Sequence, residues 1–268
     1  MSNTIHVNVS GTWKTADSYH VNVGGTWKTG SGIGPKISSA WKGVDTVSTT
    51  NLKFHLDAGD SSSYGGSGTT WYDLTDENHD GTIDGATYST SDGGIFDFDG
   101  TDDHVEFPDS DDWHIDTDYT IECWFNCDAV GGGFNSICGQ WKESGLDAAN
   151  SWILEYVGTD LRFYYIPDGA SGHSNESLGD VSTGAWHHCA LTRSGTTTKL
   201  FIDNSQVGSD FTMNTLQDGT GVFTVGGDVS GSGWFNGQIA QVRVYKGTGL
   251  TDAQITNNYN ATKATFGL

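Results

Sequence analysis

The chain has 268 residues and a net charge of −22, with 34 acidic side chains against 12 basic ones. That balance excludes a nucleic-acid groove, which needs clustered Lys and Arg. No stretch approaches the run of about 18 apolar residues that a membrane-spanning helix requires. With 38 glycines, 3 prolines and 12% aromatic residues, the composition suits many short strands joined by tight turns.

The first 50 residues are repetitive. Trp-Lys pairs fall at Trp13-Lys14, Trp27-Lys28 and Trp41-Lys42, a period of 14 residues, so one small unit is copied along the chain. The copies Val7 to Trp13 and Val21 to Trp27 alternate like strands, and Gly24-Gly25 is a two-residue hairpin signal. In such a hairpin Trp27 falls opposite Asn22. The valines and the tryptophan project from opposite faces, so both faces carry apolar groups. A two-stranded ribbon is marginal in water, so the arm needs its own domain, a second copy or a partner surface to dock on. The lysines of the three Trp-Lys pairs are a quarter of the 12 basic residues, which suits an acidic partner.

From Asn51 onward, strand-like runs alternate with turn clusters. They span 51–57, 95–99, 104–107, 119–127, 152–157, 161–166, 186–193, 198–203, 222–226 and 237–245, the spacing of a sandwich or jelly roll. One helix is expected near the end. Thr251 with Gln254 makes a capping box, and Ile255 and Tyr259 share a face; its expected role is to close one end of the sandwich. The four cysteines make no disulfide framework. Cys123 and Cys127 are about 13 Å apart along one strand, too far to bridge; a pair brought together by the fold stays open.

Several stretches in this order carry a family likeness: Leu56 to Tyr64, Thr70-Trp-Tyr-Asp-Leu74, Phe98 to Val105, Tyr119 to Trp124, Trp186 to Thr192, Leu200 to Asp203, Phe235 to Ala240 and Asn257 to Lys263. Residues 51–268 resemble the laminin-G-like, concanavalin-A-like jelly rolls, in particular those of tailed-bacteriophage virion proteins. The Trp-bearing hairpins also look like arms of phage structural proteins. The resemblance implies packing roles for Trp71, Trp124 and Trp186.

Catalytic signals are missing. Glycosidases of this fold place two glutamates and an aspartate at alternating positions of one strand. Each of the six glutamates here lacks that pattern, and Glu122 stands alone on its strand. There is no Gly-x-Ser-x-Gly elbow, and His187-His188 has no metal-site spacing. A cation is the sharper reading of the acidity. Asp76-Glu-Asn78-His-Asp80-Gly81 matches the opening of a calcium loop, with Asp84 at the ninth position; Thr87 at the twelfth and the lack of flanking helices rule out an EF-hand. Asp97-Phe-Asp99-Gly-Thr-Asp102 is a second acidic turn. The resemblance implies calcium near such loops, although the strand position where some relatives supply an aspartate is Ala240. Candidate ligands for Ca2+ are Asp73, Asp76, Asn78, Asp80, Asp99 and Asp102; in the plainer reading they only shape turns.

Trp113, Trp141 and Trp234 lie beside loop-like segments and are the candidates for glycan or partner contact. The expected architecture is an all-β, two-sheet jelly-roll sandwich over 51–268, with a hairpin arm at 1–50 and one short C-terminal helix. The expected function is a non-enzymatic virion protein, as capsid decoration, head fibre or tail or neck fibre. Trp13, Lys14, Trp27, Lys28, Trp41 and Lys42 would attach it to capsid, neck or tail proteins, with self-oligomers and cell-surface glycans as further partners. Nucleic acid and membrane insertion are not expected. The opening residues show no signal peptide, so synthesis in the host cytoplasm and display on the virion surface are expected. The alternative is a calcium-dependent glycan-binding lectin or adhesin domain.

Overall fold

Alternation builds many of the strands. His104–Phe107 turns Val105 and Phe107 inward and leaves His104 and Glu106 outside. Asp160–Tyr165 does the same with Leu161, Phe163 and Tyr165, the period-two mark of a sheet with one face in the core. Tyr119–Cys127 and Asn236–Lys246 are instead buried along almost their whole length, so both of their faces must be covered.

The computed structural model describes residues 45–128, 133–141, 148–228 and 233–268, and the strand backbones within 5–41. The chain divides into two units, 1–45 and 46–268. The first holds three antiparallel hairpins: Ile5–Val9 with Thr12–Ala16, His20–Val23 with Thr26–Thr29, and Lys36–Ile37 with Ala40–Trp41. Asn8 stands opposite Trp13 and Asn22 opposite Trp27, the register that a two-residue connection dictates. The side chains of Trp13, Lys14, Trp27, Lys28 and Trp41, and the whole of Lys42, lie outside the described residues.

The second unit is a sandwich of two antiparallel sheets. In the first, the order is Thr87–Ser89, Ile95–Asp99, Asn236–Lys246, Tyr119–Cys127, Trp186–Ser194, Thr197–Ile202 and Ser205–Thr212, with Leu52–Asp57 also paired to Asn236–Lys246. In the second, it is Ser174–Asp180, Asp160–Tyr165, Trp152–Val157, Phe134–Gly139, Phe223–Val225, His104–Phe107, Gly81–Asp84 and Thr70–Trp71. Their inner faces meet in an aromatic core. Trp113 stacks on Phe223 with centroids 4.5 Å apart, and Phe54 meets Phe107 and Trp113 edge-on at 5.0 Å.

The helix Asp252–Thr262 has the expected capping box between Thr251 and Gln254. It does not close an end of the sandwich; it lies on the outer face of the first sheet. There the indole of Trp124 stacks between Phe266 at 4.4 Å and Tyr259 at 5.5 Å, and its Nε1 donates to Thr262 Oγ1 at 2.9 Å. Ile255 is fully buried beneath the helix, which contributes about 1.5–3 kcal/mol. This cover explains why the central strands are apolar on both sides. Trp71, Trp124 and Trp186 are all buried packing residues.

Candidate functional site

Outward-facing residues of the second sheet form the site. His104–Phe107 and Gly81–Asp84 pair with His104 opposite Asp84 and Glu106 opposite Thr82. Because every second side chain points the same way, these four share the outer face while Val105, Phe107 and Ile83 face inward. Trp234, two residues ahead of the strand Asn236–Lys246, brings its indole to 5.3 Å from the His104 ring. The five side chains line an open depression of about 300 Å³. Trp234 lies low because Gly227 is beneath it: a Cβ there would fall 2.5 Å from the indole.

The imidazole is held in one orientation. His104 Nδ1 is 2.9 Å from the carbonyl oxygen of Asp102, which only accepts, so Nδ1 donates. Nε2 then points towards Glu106 Oε1, 3.5 Å away. His104 retains 12% side-chain exposure and Glu106 43%, so both are within reach of a ligand.

The other predicted residues scatter. Asp73, Asp76, Asn78 and Asp80 lie in one turn segment whose side chains hydrogen-bond largely to its own backbone. Asp73 accepts from the amides of His55, Thr75 and His79 and from Thr75 Oγ1. Asp80 Oδ1 accepts from the Asp73 amide at 3.0 Å, and Asn78 Nδ2 donates to the Asp76 carbonyl. The expected loop glycine, Gly81, sits in a strand because the Phe107 ring packs on it, 2.3 Å from where a Cβ would be.

The second acidic turn is more convergent. Asp99, Asp102 and Asp103 bring one carboxylate oxygen each within 4.8 Å of one another. Burial pushes the Asp103 carboxyl up, the Asp99 amide that it accepts opposes this, and the neighbouring carboxylates Asp99, Asp102 and Asp97 push it further up. An all-oxygen, anionic donor set suits Ca2+, and three carboxylates supply part of the six to eight oxygens that this ion takes. The turn adjoins the depression, since Asp102 carries the carbonyl that orients His104.

Trp113 and Trp141 are not exposed contact residues. The short 3-10 turn Asp111–Trp113, capped by Ser110, rolls the Trp113 ring into the core, where Nε1 donates to the Pro108 carbonyl at 3.0 Å. Trp141 is 6% exposed and packs with Ile153, Ile166 and Tyr164. Of the three, Trp234 alone lines the depression. Alternation within His104–Phe107 and Thr82–Asp84 marks the polar residues as outward-facing, but the sequence does not show that the two strands are neighbours.

His187 and His188 serve the sheet. His187 Nδ1 is 2.7 Å from Asp203 Oδ2 and its Nε2 is 2.9 Å from Ser182 Oγ, while the His188 amide donates to Asp203 Oδ1. Asp203 thereby fastens the turn after Thr197–Ile202 to the neighbouring strand. Glu122 is fully buried below the C-terminal helix.

A profile of the concanavalin A-like lectin/glucanases superfamily matches residues 99–256. The chain belongs to this superfamily. No curated protein sequence matches it. Among solved structures of this fold, Trypanosoma rangeli sialidase in complex with sialic acid aligns with a TM-score of 0.64 at 14% identity, covering 98% of this chain and 44% of the sialidase. The chain therefore spans less than half the length of that enzyme. The binding domain of Paraclostridial Mosquitocidal Protein 1 aligns at 0.59 and 12% identity, over 79% of this chain and 52% of that one. Domain 4 of AbnA, a GH43 extracellular arabinanase from Geobacillus stearothermophilus, was solved in complex with arabinotriose. It aligns at 0.55 and 18% identity, over 78% and 98% of the two chains. At these identities the likeness is one of superfamily fold.

Proposed function

We propose that the jelly roll is a non-catalytic glycan-contact module whose site is the depression around Trp234. The observation that carries this reading is the partly buried indole beside His104, flanked by Thr82, Asp84 and Glu106. An aromatic face offers the apolar side of a sugar a surface, and the polar groups around it accept from or donate to the hydroxyls. The carbohydrate complexes among its fold neighbours support the choice of ligand class. Ca2+ at Asp99, Asp102 and Asp103 is the proposed ion. It would stiffen the turn that carries the Asp102 carbonyl.

The proposed setting is the surface of a tailed-bacteriophage virion. There the hairpin repeats attach the chain to capsid, neck or tail proteins, through the Trp-Lys pairs or through self-assembly. The support is the motif likeness along residues 51–268 and the 14-residue repeat.

The test is a glycan array with the full chain, followed by calorimetric titration of the hits. Trp234→Ala is expected to weaken binding at least tenfold, about 1.4 kcal/mol, without altering the thermal midpoint by more than a few degrees. Binding that survives Trp234→Ala moves the site elsewhere, and release of reducing sugar ends the non-catalytic reading. The second reading, a purely structural particle component, is favoured by the repeated hairpins. It gains if no glycan binds while a chain lacking residues 1–45 fails to associate with particles.

A further inference from the structure

The depression sets the carboxylates of Asp84 and Glu106 on one outer face of the sheet pair. Glu106 Oε1 stands 3.5 Å from Nε2 of His104, whose ring is oriented at Nδ1 by the Asp102 carbonyl. Asp84 stands directly across the strand pair from His104 and is exposed. Thr82 and Trp234 complete the lining, so among the described lining residues there is no Lys or Arg. The remainder of the chain adds to the negative potential, at a net charge of −22.

An acidic sugar meets the carboxylates of Asp84 and Glu106 with no Lys or Arg among the described lining residues to offset them, and like-charge juxtaposition disfavours such a partner. A neutral sugar can donate hydroxyls to Glu106 and Asp84. A protonated amino group offers three donors and the complementary charge, and a charge-assisted hydrogen bond is roughly twice as strong as a neutral one. Its sugar ring still covers the indole. Resting on the glycan reading of this site, we infer that the cleft selects amino sugars with a free ammonium group, ranks neutral sugars below them, and rejects uronic and sialic acids.

Three trisaccharides of similar size separate the possibilities: the β1,4-linked trimer of glucosamine, its N-acetylated counterpart, and trigalacturonate. Each is titrated into the full chain at neutral pH in 0.1 M salt. The free-amine trimer is expected to bind about tenfold tighter than the acetylated one, with trigalacturonate weakest. Raising the salt to 1 M shortens the screening length from about 10 Å to about 3 Å and should shrink the amine preference severalfold. Glu106→Gln, nearly isosteric and on the surface, should bring the amine and acetylated trimers within about twofold of each other. Trp234→Ala should weaken all three, which separates the cleft from diffuse attraction to an acidic surface.

Trigalacturonate binding as tightly as the amine overturns the inference, as does an amine preference untouched by Glu106→Gln. In both cases Trp234-dependent binding leaves the glycan reading standing. If none of the three trimers and no glycan on the array binds, both fall together.

Discussion

Asn258, on the C-terminal helix, donates to Glu122 Oε2 at 2.6 Å in the middle of the first sheet. The same amide nitrogen reaches the Tyr245 hydroxyl, and Asn258 Oδ1 accepts from the Ser48 amide at 2.7 Å. Tyr245 in turn donates to the Ser48 carbonyl. One side chain thus ties the start of the sandwich, its longest strand and its helix together around a buried acid.

That acid makes stability depend on pH. Burial pushes the Glu122 carboxyl up to about 7, against the opposing pull of Arg243, Asn258 and Tyr245. The folded state holds this proton more tightly than the unfolded chain. Its contribution is therefore complete below pH 4.5 and is lost as the pH rises through about 7. Glu122→Gln should gain on the wild type across that window by about 3 kcal/mol. Urea unfolding at several pH values checks this, and a pH-independent difference between the two proteins would refute it.

His55 and His188 act in the opposite direction. Burial and the nearby Arg243 hold both near 3, below the ordinary value of 6.5. Their contribution is complete above pH 6.5 and is lost as the pH falls towards 3. Two histidines outweigh one glutamate in the window that they share, so the wild type should lose stability on acidification from pH 6.5. A thermal midpoint that rises steadily from pH 6.5 down to 4.5 would contradict this balance.

The thiols should be silent in the native protein. All four cysteines are buried, and Cys123 and Cys189 face each other across neighbouring strands with sulfurs 3.1 Å apart. Burial pushes the Cys123 and Cys138 thiols up, which depletes the reactive thiolate. Ellman's reagent should titrate four thiols in denaturant and none over minutes in the folded state. Rapid reaction of any one would show that the sheets open there.

Gly227→Ala tests how the site is seated. An added methyl meets the Trp234 ring, and overpacking of this kind costs about 1–3 kcal/mol. The ring is only partly buried and can lift away, so the expected result is a modest drop in thermal midpoint with a loss of glycan affinity comparable to that of Trp234→Ala. Unchanged affinity would mean that the indole is not seated there during binding.

Calcium, if held at the second acidic turn, should raise the thermal midpoint relative to chelator, and Asp102→Asn should reduce that difference. Asp80→Ala should lower stability in both conditions and leave the difference intact, because it removes the Oδ1 that accepts from the Asp73 amide. Reversed roles for the two variants would return the ion to the first loop.

Strands with an apolar rhythm were legible in the sequence: Ile95–Asp99, His104–Phe107, Tyr119–Cys127 and Trp152–Val157 fall where alternation or an apolar run predicts them. Ser174–Asp180 and Ser205–Thr212 were not, because both are polar edge strands with few side chains in the core. Gly81–Asp84 was hidden inside an acidic motif. Trp113 is a contact candidate because it lies beside a loop-like segment, but a single 3-10 turn suffices to direct its ring into the core. Trp234 was visible as a candidate, whereas His104, Glu106, Thr82 and Asp84 became its neighbours through strand pairing, which a single sequence does not encode locally.

Trp234 is attached to Asn236–Lys246, a strand bonded along one flank to Tyr119–Cys127 and along the other to Ile95–Asp99 and Leu52–Asp57. A cell surface moving in flow would pull on the indole and so load this strand from its end. Hydrogen-bond rows on both flanks then share the tension, instead of parting one bond at a time as at a free edge. Under the proposed glycan contact, such an anchorage would let the sugar part before the sheet that carries it.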